Sequence, residues 1–270
     1  MGDALERVRL VATDMDGTLL GPDGTVSPRT MRALARLRAA GVAVVLVTGR
    51  PPRWVRGVLD DDAVHELVIC TNGAVVYDPL ADRIVAHEPL DSEVAASMVE
   101  RLRQLAPGVV FAVESGTGFR REPGYRARAA FDPVNLGDAM ELVGDPVSKL
   151  LVRHPELPFE RLYELAVEVA GTDAVATFSN PDLVEVSAAG VTKASALARL
   201  CAQLGIGPDE VVAIGDMPND LPMLAWAGYA VAVANAHPEV LEAADEVTAA
   251  NADDGVAQVL ERILAAKGHR

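Results

Sequence analysis

Five short apolar runs punctuate the chain: Val8 to Ala12, Val42 to Val47, Leu67 to Cys70, Val211 to Ile214 and Tyr229 to Ala234. Each is rich in β-branched residues and lacks the alternation of a strand with one wet face. Such runs read as strands buried on both faces of a parallel sheet. Helical segments lie between several of them. Ser27 and Pro28 open one as N-cap and first helical residue, Leu34 and Leu37 supply its apolar positions, and Gly41 closes it. Thr192 caps another, which runs through Leu197 and Leu200 to Gly205. Strands alternating with helices predict a doubly wound α/β core.

The pattern changes between the third and fourth runs. Helices are expected at Ser92 to Leu105 and Phe159 to Ala170, and strands at Val109 to Val113 and Val147 to Val152. Paired strands are expected at Val175 to Ser179 and Val184 to Ser187, with a loop from Ser115 to Pro133. This reads as an α+β unit inserted into the core. The expected division is 1–86 with 188–270 for the core and 87–187 for the insertion.

Composition narrows the class. A chain of 270 residues, half of them hydrophobic and 23% charged, can bury a core, which excludes disordered and low-complexity classes. Acids outnumber bases 39 to 24, for a net charge of −15, which opposes general binding to nucleic acid or anionic membranes. Two cysteines are too few for a disulfide framework or a four-thiolate zinc site. No apolar run approaches the ~18 residues of a membrane span. The first ten residues lack the apolar stretch of a signal peptide, and Glu6 breaks the myristoylation pattern after Gly2. The expectation is a soluble cytoplasmic protein.

In an open parallel sheet, ligands bind beyond the carboxyl ends of the strands. The residues just past the apolar runs are Asp14 and Asp16, then Thr48, then Thr71 and Asn72, then Asp216, Asn219 and Asp220, then Asn235. Four carboxylates converging on one edge repel one another and resist desolvation. A hard divalent cation resolves this, and an all-oxygen site suits Mg²⁺. One such Asp would be an ordinary turn or cap residue; two acidic clusters on separate strand ends are not explained that way. Lys193 opens a helix, where the macrodipole disfavours a cation, in a chain with three lysines against 21 arginines. Beside free helix N–H groups it would make an anion site, with phosphate the natural occupant. Thr48-Gly49-Arg50 offers a hydroxyl and bare N–H groups at a strand-to-helix turn, a weaker signal of the same kind.

These residues resemble the motifs of the haloacid dehalogenase-like hydrolases (HAD), specifically the Cof-type phosphatases. Asp14-Met15-Asp16-Gly17-Thr18-Leu19 is similar to their first motif, Thr48-Gly49-Arg50 to the second, Lys193 to the third, and Gly215-Asp216-Met217-Pro218-Asn219-Asp220 to the fourth. Asn72-Gly73-Ala74 resembles a further Cof-type element. The likeness runs from residue 8 to about 257, and no motif position departs from it. It implies a Rossmann-like HAD core carrying an inserted α+β cap, and a Mg²⁺-dependent phosphatase working through an aspartyl phosphate. By the resemblance, Asp14 is the nucleophile and Asp16 the general acid and base. Asp14, Asp216 and the Asp16 carbonyl are the metal ligands, with Asp220 orienting them from behind. Thr48, Gly49, Lys193 and Asn219 would hold the phosphoryl group, and Asn72 would lie near the substrate.

The cap loop from Ser115 to Pro133 is expected to help choose the substrate. It carries Arg120, Arg121, Arg126 and Arg128, with glycines for mobility and Tyr125 as a stacking surface. His65, His87 and His154 lack metal-ligand spacing, Cys70 reads as an inert core thiol, Trp54 and Trp226 as packing residues, and Asp60-Asp61-Asp62 as a solvated turn. Sugar phosphates are among the expected substrates. The alternatives are a glycosyl-phosphate-specific enzyme, such as a mannosyl-3-phosphoglycerate phosphatase, a phosphomutase on the same core, and a catalytically silent metabolite-binding protein.

Overall fold

The computed structural model describes residues 5–55, 67–126 and 135–268. The chain divides into two compact units: Ala86–Thr192 forms one, and the segments before and after it form the other.

The first unit begins with β1 (Leu10–Thr13), α1 (Pro28–Ala39) and β2 (Ala43–Leu46), followed by β3 (Val68–Cys70) and β4 (Val75–Asp78); β5 (Arg83–His87) runs across the boundary into the inserted unit. The inserted unit holds α2 (Ser92–Leu105), β6 (Val110–Ser115), β7 (Gly118–Arg121), β8 (Lys149–Arg153), α3 (Phe159–Ala170), β9 (Ala174–Asn180) and β10 (Leu183–Ala188). The chain then completes the first unit with α4 (Lys193–Leu204), β11 (Val211–Gly215), α5 (Leu221–Trp226), β12 (Tyr229–Val233), α6 (Pro238–Ala243), β13 (Glu246–Thr248) and α7 (Gly255–Ala266).

The main sheet of the first unit is parallel throughout, in the order β13-β12-β11-β1-β2. All four residues of β1 and all five of β11 are buried, the condition that makes central strands read as unbroken apolar runs. α1 packs on α7 and α4 on α5, closing the core around Leu37, Leu197, Ile214 and Leu260. Each such side chain contributes roughly 1.5–3 kcal/mol by leaving water. Ser27 caps α1 by accepting from the Thr30 N–H, and Gly41 turns the chain away at φ +78°.

Two sequence expectations change here. Leu67–Cys70 does not extend the parallel sheet as a full strand. It meets the main sheet at a single parallel bridge, Val47 to Ile69, and pairs antiparallel with β4. β13 takes the remaining place in the main sheet; three residues, one of them the half-exposed Val247, make too short and mixed a run to signal a strand. β4 and β5 are likewise unannounced, because most of β5 is exposed.

The inserted unit is an antiparallel sheet in the order β7-β6-β8-β10-β9. Met98, Leu102, Leu162 and Leu165 of its helices pack on Phe111, Leu150, Val152 and Val186. The expected loop from Ser115 is in part a hairpin, with Ser115 ending β6 and residues 118–121 forming β7; residues 127–134, Arg128 among them, lie outside the described residues. Tyr125 is not an open stacking surface. It is 3% exposed and packs edge-on against Phe119. Arg120 is paired with Asp145 at 2.7 Å, Arg121 donates to the Tyr125 carbonyl at 2.7 Å, and Arg126 is exposed. Lys149 is buried against Glu185 at 2.5 Å. Cys70 is fully buried, His87 shares a hydrogen bond with Ser148, and His65 and Asp60-Asp61-Asp62 lie outside the described residues.

Candidate active site

The strand ends of the first unit bring the predicted polar residues together. Asp14 follows β1, and its N–H continues the ladder to the Ile214 carbonyl of β11 at 2.9 Å. Asp16 (φ −75°, ψ 121°) and Gly17 (φ 80°, ψ −9°) then form the centre of a type II turn, whose third position requires positive φ. Asn235, past the end of β12, supports this turn by donating to the Gly17 carbonyl at 2.8 Å.

Lys193 is fully buried, with Nζ 2.5 Å from Asp14 Oδ1 and 2.6 Å from Asp220 Oδ1. The other oxygen of Asp220 accepts the N–H groups of Asp216 and Met217, each at 3.0 Å. Asp220 therefore ties the loop after β11 to the lysine and is engaged on both oxygens. Thr18 donates to Asp216 Oδ1 at 2.7 Å. One oxygen from each of Asp14, Asp216 and Asp220 lies within 4.8 Å of the others.

Three buried carboxylates face one buried ammonium, leaving a surplus of two negative charges. The titration behaviour follows from that surplus. Burial first, then the charges of Asp220 and Asp216, holds Asp14 well above the usual carboxylate range against the pull of Lys193. Burial, then Asp220, pushes Asp216 up to about 7. Burial alone would lower Lys193, but Asp14 and Asp220 outweigh it and raise the lysine, which keeps its proton. Groups short of positive charge in an all-oxygen cluster are the donor set for a hard divalent cation.

Hydroxyl, amide and backbone groups of the loops after β2, β3 and β11 form a second set of polar contacts. The buried Thr48 hydroxyl accepts from the Arg50 N–H at 3.0 Å, which leaves its own proton as a donor. Gly49 lies in the bend between them. Thr71 (φ 54°) and Asn72 (φ 56°) both occupy the left-handed region, a strained conformation for a β-branched threonine. Hydrogen bonds from their N–H groups to the carbonyls of Arg50 (2.9 Å) and Thr48 (3.1 Å) hold them there. The Asn72 side chain accepts from Asn219 Nδ2 at 3.0 Å, joining this loop to the one after β11. Sequence reasoning did not assign roles to Arg50, whose guanidinium grips Asp16, or to Thr18, the partner of Asp216. Both lie inside the quoted motifs, but their partners are distant in sequence and only the sheet order shows them.

Residues 11–260 match the family model for haloacid dehalogenase-like hydrolases. The chain belongs to that family. This haloacid dehalogenase-like hydrolase is 30% identical to the 5-amino-6-(5-phospho-D-ribitylamino)uracil phosphatase YcsE of Bacillus subtilis, over 94% of each chain. It is 29% identical to the pyridoxal phosphate phosphatase YbhA of Escherichia coli, over 93% of this chain and 97% of the relative. Its fold is similar to SMU.1108c of Streptococcus mutans, with a TM-score of 0.85, 25% identity, and coverage of 96% and 99% of the two chains. The hydrolase is a phosphatase of small phosphorylated metabolites, a phosphoric monoester hydrolase. Phosphatases of this family generally use a divalent metal, and the buried aspartate cluster fits one. Among the described residues no helix is long and apolar enough to cross a membrane.

Proposed function

We propose that this hydrolase is a Mg²⁺-dependent phosphatase that acts in two steps through an aspartyl phosphate on Asp14, with sugar phosphates among its substrates. The observation that carries the reading is the fully buried Lys193 wedged between Asp14 and Asp220 beside a third carboxylate. Asp14 and Asp216, with the Asp16 carbonyl, would hold the cation. Bound there, Mg²⁺ supplies charge neutralisation, letting an anionic phosphate approach a carboxylate.

Lys193 fixes the Asp14 carboxylate and neutralises charge on the transferring phosphoryl group. Asp14 attacks phosphorus, the ester P–O bond breaks, and the leaving oxygen takes a proton from Asp16. Asp16 then removes a proton from water, which attacks the aspartyl phosphate and releases inorganic phosphate. Thr48, Gly49 and Asn219 hold the phosphoryl oxygens, and Asn72 supports Asn219. Asp220 keeps Lys193 and the loop after β11 in place. Residues 87–187 act as the cap that reads the leaving group. The relatives named above carry different substrates at nearly equal identity, so whole-chain likeness does not choose among substrates.

The test is Asp14→Asn. An amide is a poor nucleophile toward phosphorus, so turnover of p-nitrophenyl phosphate should fall about 10³-fold or more, the scale of losing a nucleophile. Quenching the wild type with ³²P-labelled substrate should label Asp14. Wild-type turnover in Asp14→Asn removes the covalent step.

A further inference from the structure

We propose that Arg50 is the positioning residue for Asp16, setting the direction from which that carboxyl group delivers its proton to the leaving oxygen. Arg50 Nε lies 2.7 Å from Asp16 Oδ2 and Nη2 lies 2.6 Å from Oδ1, a two-pronged grip on both oxygens. Such a fork fixes the plane of a carboxyl group as well as its position, and the proton to be delivered sits on an oxygen lone pair that the fork leaves unused. Among the described residues, Arg50 is the hydrogen-bond partner of the Asp16 side chain, which is 58% exposed and without it would be free to rotate into solvent.

The arginine itself stands on a fixed base. Its N–H donates to Thr48 Oγ1 at 3.0 Å, its carbonyl accepts from the Thr71 N–H at 2.9 Å, and Nη1 donates to the Trp54 carbonyl at 3.3 Å. The strained Thr71–Asn72 backbone therefore holds the loop that holds Asp16. One structure links the phosphate-side hydroxyl of Thr48 to the proton-donating group across the leaving bond. Of its five guanidinium N–H groups two are committed to Asp16 and a third to the Trp54 carbonyl, so the contact of Arg50 with the proposed proton donor is direct.

The inference rests on the role given above to Asp16, and leaving-group chemistry separates the two. In the first step the ester P–O bond breaks as the bond from Asp14 to phosphorus forms, and the electron pair stays on the leaving oxygen. An alkoxide needs a proton from Asp16 at that moment. p-Nitrophenolate leaves as a stable anion and does not. A misplaced Asp16 should therefore penalise alkyl phosphates selectively.

The experiment measures kcat and KM of wild type, Arg50→Gln, Arg50→Lys, Asp16→Asn and the Arg50→Gln/Asp16→Asn double variant, on glucose 6-phosphate and p-nitrophenyl phosphate. General acid catalysis contributes roughly 10²–10⁴-fold, and losing its alignment should forfeit part of that. Arg50→Gln should lose roughly 10–100-fold in kcat on the alkyl ester, with a smaller change in KM. That loss should exceed its loss on the aryl ester by about tenfold or more. Lysine, which can hold one oxygen at a time, should restore part of the difference. The double variant should be no worse than Asp16→Asn on the alkyl ester. Equal losses on the two esters, or losses that multiply in the double variant, would overturn the role of Arg50 while leaving that of Asp16 intact. An Asp16→Asn variant that does not discriminate between leaving groups would remove the reading of Asp16, and this inference with it.

Discussion

Gly17 approaches Asp216 so closely that a Cβ built on the glycine would meet Asp216 Oδ2 at 2.3 Å. No real Cβ tolerates that contact, and the backbone at φ +80° already disfavours any side chain. The glycine is thus required twice, once by its turn and once by the carboxylate above it. Gly17→Ala should cost about 1–3 kcal/mol of stability, from the strain of an L-residue held in the left-handed region. Its effect on function should be larger, because Asp216 must move from the position that Thr18 gives it. The Mg²⁺ concentration for half-maximal activity should rise together with a fall in kcat. An unchanged metal requirement would show that Asp216 is not held in place by this contact.

Asp220→Asn tests the buried network from the other side. The carboxylate accepts two backbone N–H groups on one oxygen and Lys193 on the other. An amide has one oxygen, so either the loop or the lysine loses its acceptor, and its NH₂ group faces donors. Removing one partner of a buried charge pair costs about 3–5 kcal/mol. Asp14 remains beside Lys193, so the lower end of that range is expected in urea unfolding. Activity should fall roughly 10–100-fold, as for other groups that orient a ligand set from behind. A variant of wild-type stability would mean that Lys193 is held by Asp14 alone.

The sequence makes the centre of the fold plain for a physical reason. β1, β2, β11 and β12 are almost wholly buried, so their composition has little freedom, and the acids that follow them are conspicuous against it. α2 and α3 announce themselves equally well: residues 92–105 and 159–170 combine helical apolar spacing with clean ends. β5 and β13 carry no such pattern because they lie at sheet edges, where neither face need be apolar. The role of Arg50 is hidden for a different reason. An arginine in a motif carries no sign of its partner, and Asp16 lies 34 residues away in sequence. Tyr125 misleads in the opposite sense: amid arginines and glycines it reads as exposed, yet Phe119 draws it into a small apolar cluster.

Two arginines of the expected loop, Arg120 and Arg121, now have a different expected behaviour. Arg120 joins Asp145 and the Leu142 carbonyl, and Arg121 joins the Tyr125 carbonyl. Replacing both with Gln should weaken the unit modestly, since partly exposed ion pairs contribute about 0–1 kcal/mol. The ranking of substrates across a phosphometabolite panel should not change, because these side chains are tied to their own unit. A reordered panel in this double variant would return them to substrate selection.

The proposed metal dependence and the pH dependence of stability have one origin. Without a cation, burial and Asp220 raise Asp216 from 3.8 to about 7, and Asp14 is raised by burial and its acidic neighbours. In the unfolded chain both carboxyl groups return to their ordinary range. Across the window from about 4 to 7 the folded protein then holds protons that the unfolded chain has released. The Asp216 contribution to stability is therefore fully present below 3.8 and is lost as pH rises through about 7. A divalent cation binds the ionised carboxylates and competes with those protons. Mg²⁺ at 100 times its Kd would add about 2.7 kcal/mol by mass action, and its apparent Kd should weaken as the pH falls. Thermal unfolding with EDTA and with added Mg²⁺, at pH 5 and pH 8, separates this effect from every other titrating group, because only the metal differs within each pair. The Mg²⁺-induced rise in Tm should be large at pH 8 and small at pH 5. Asp216→Asn, which removes a proposed ligand and a titrating group together, should reduce the rise at pH 8. An equal rise at both pH values would show that the cation binds elsewhere than this carboxylate cluster.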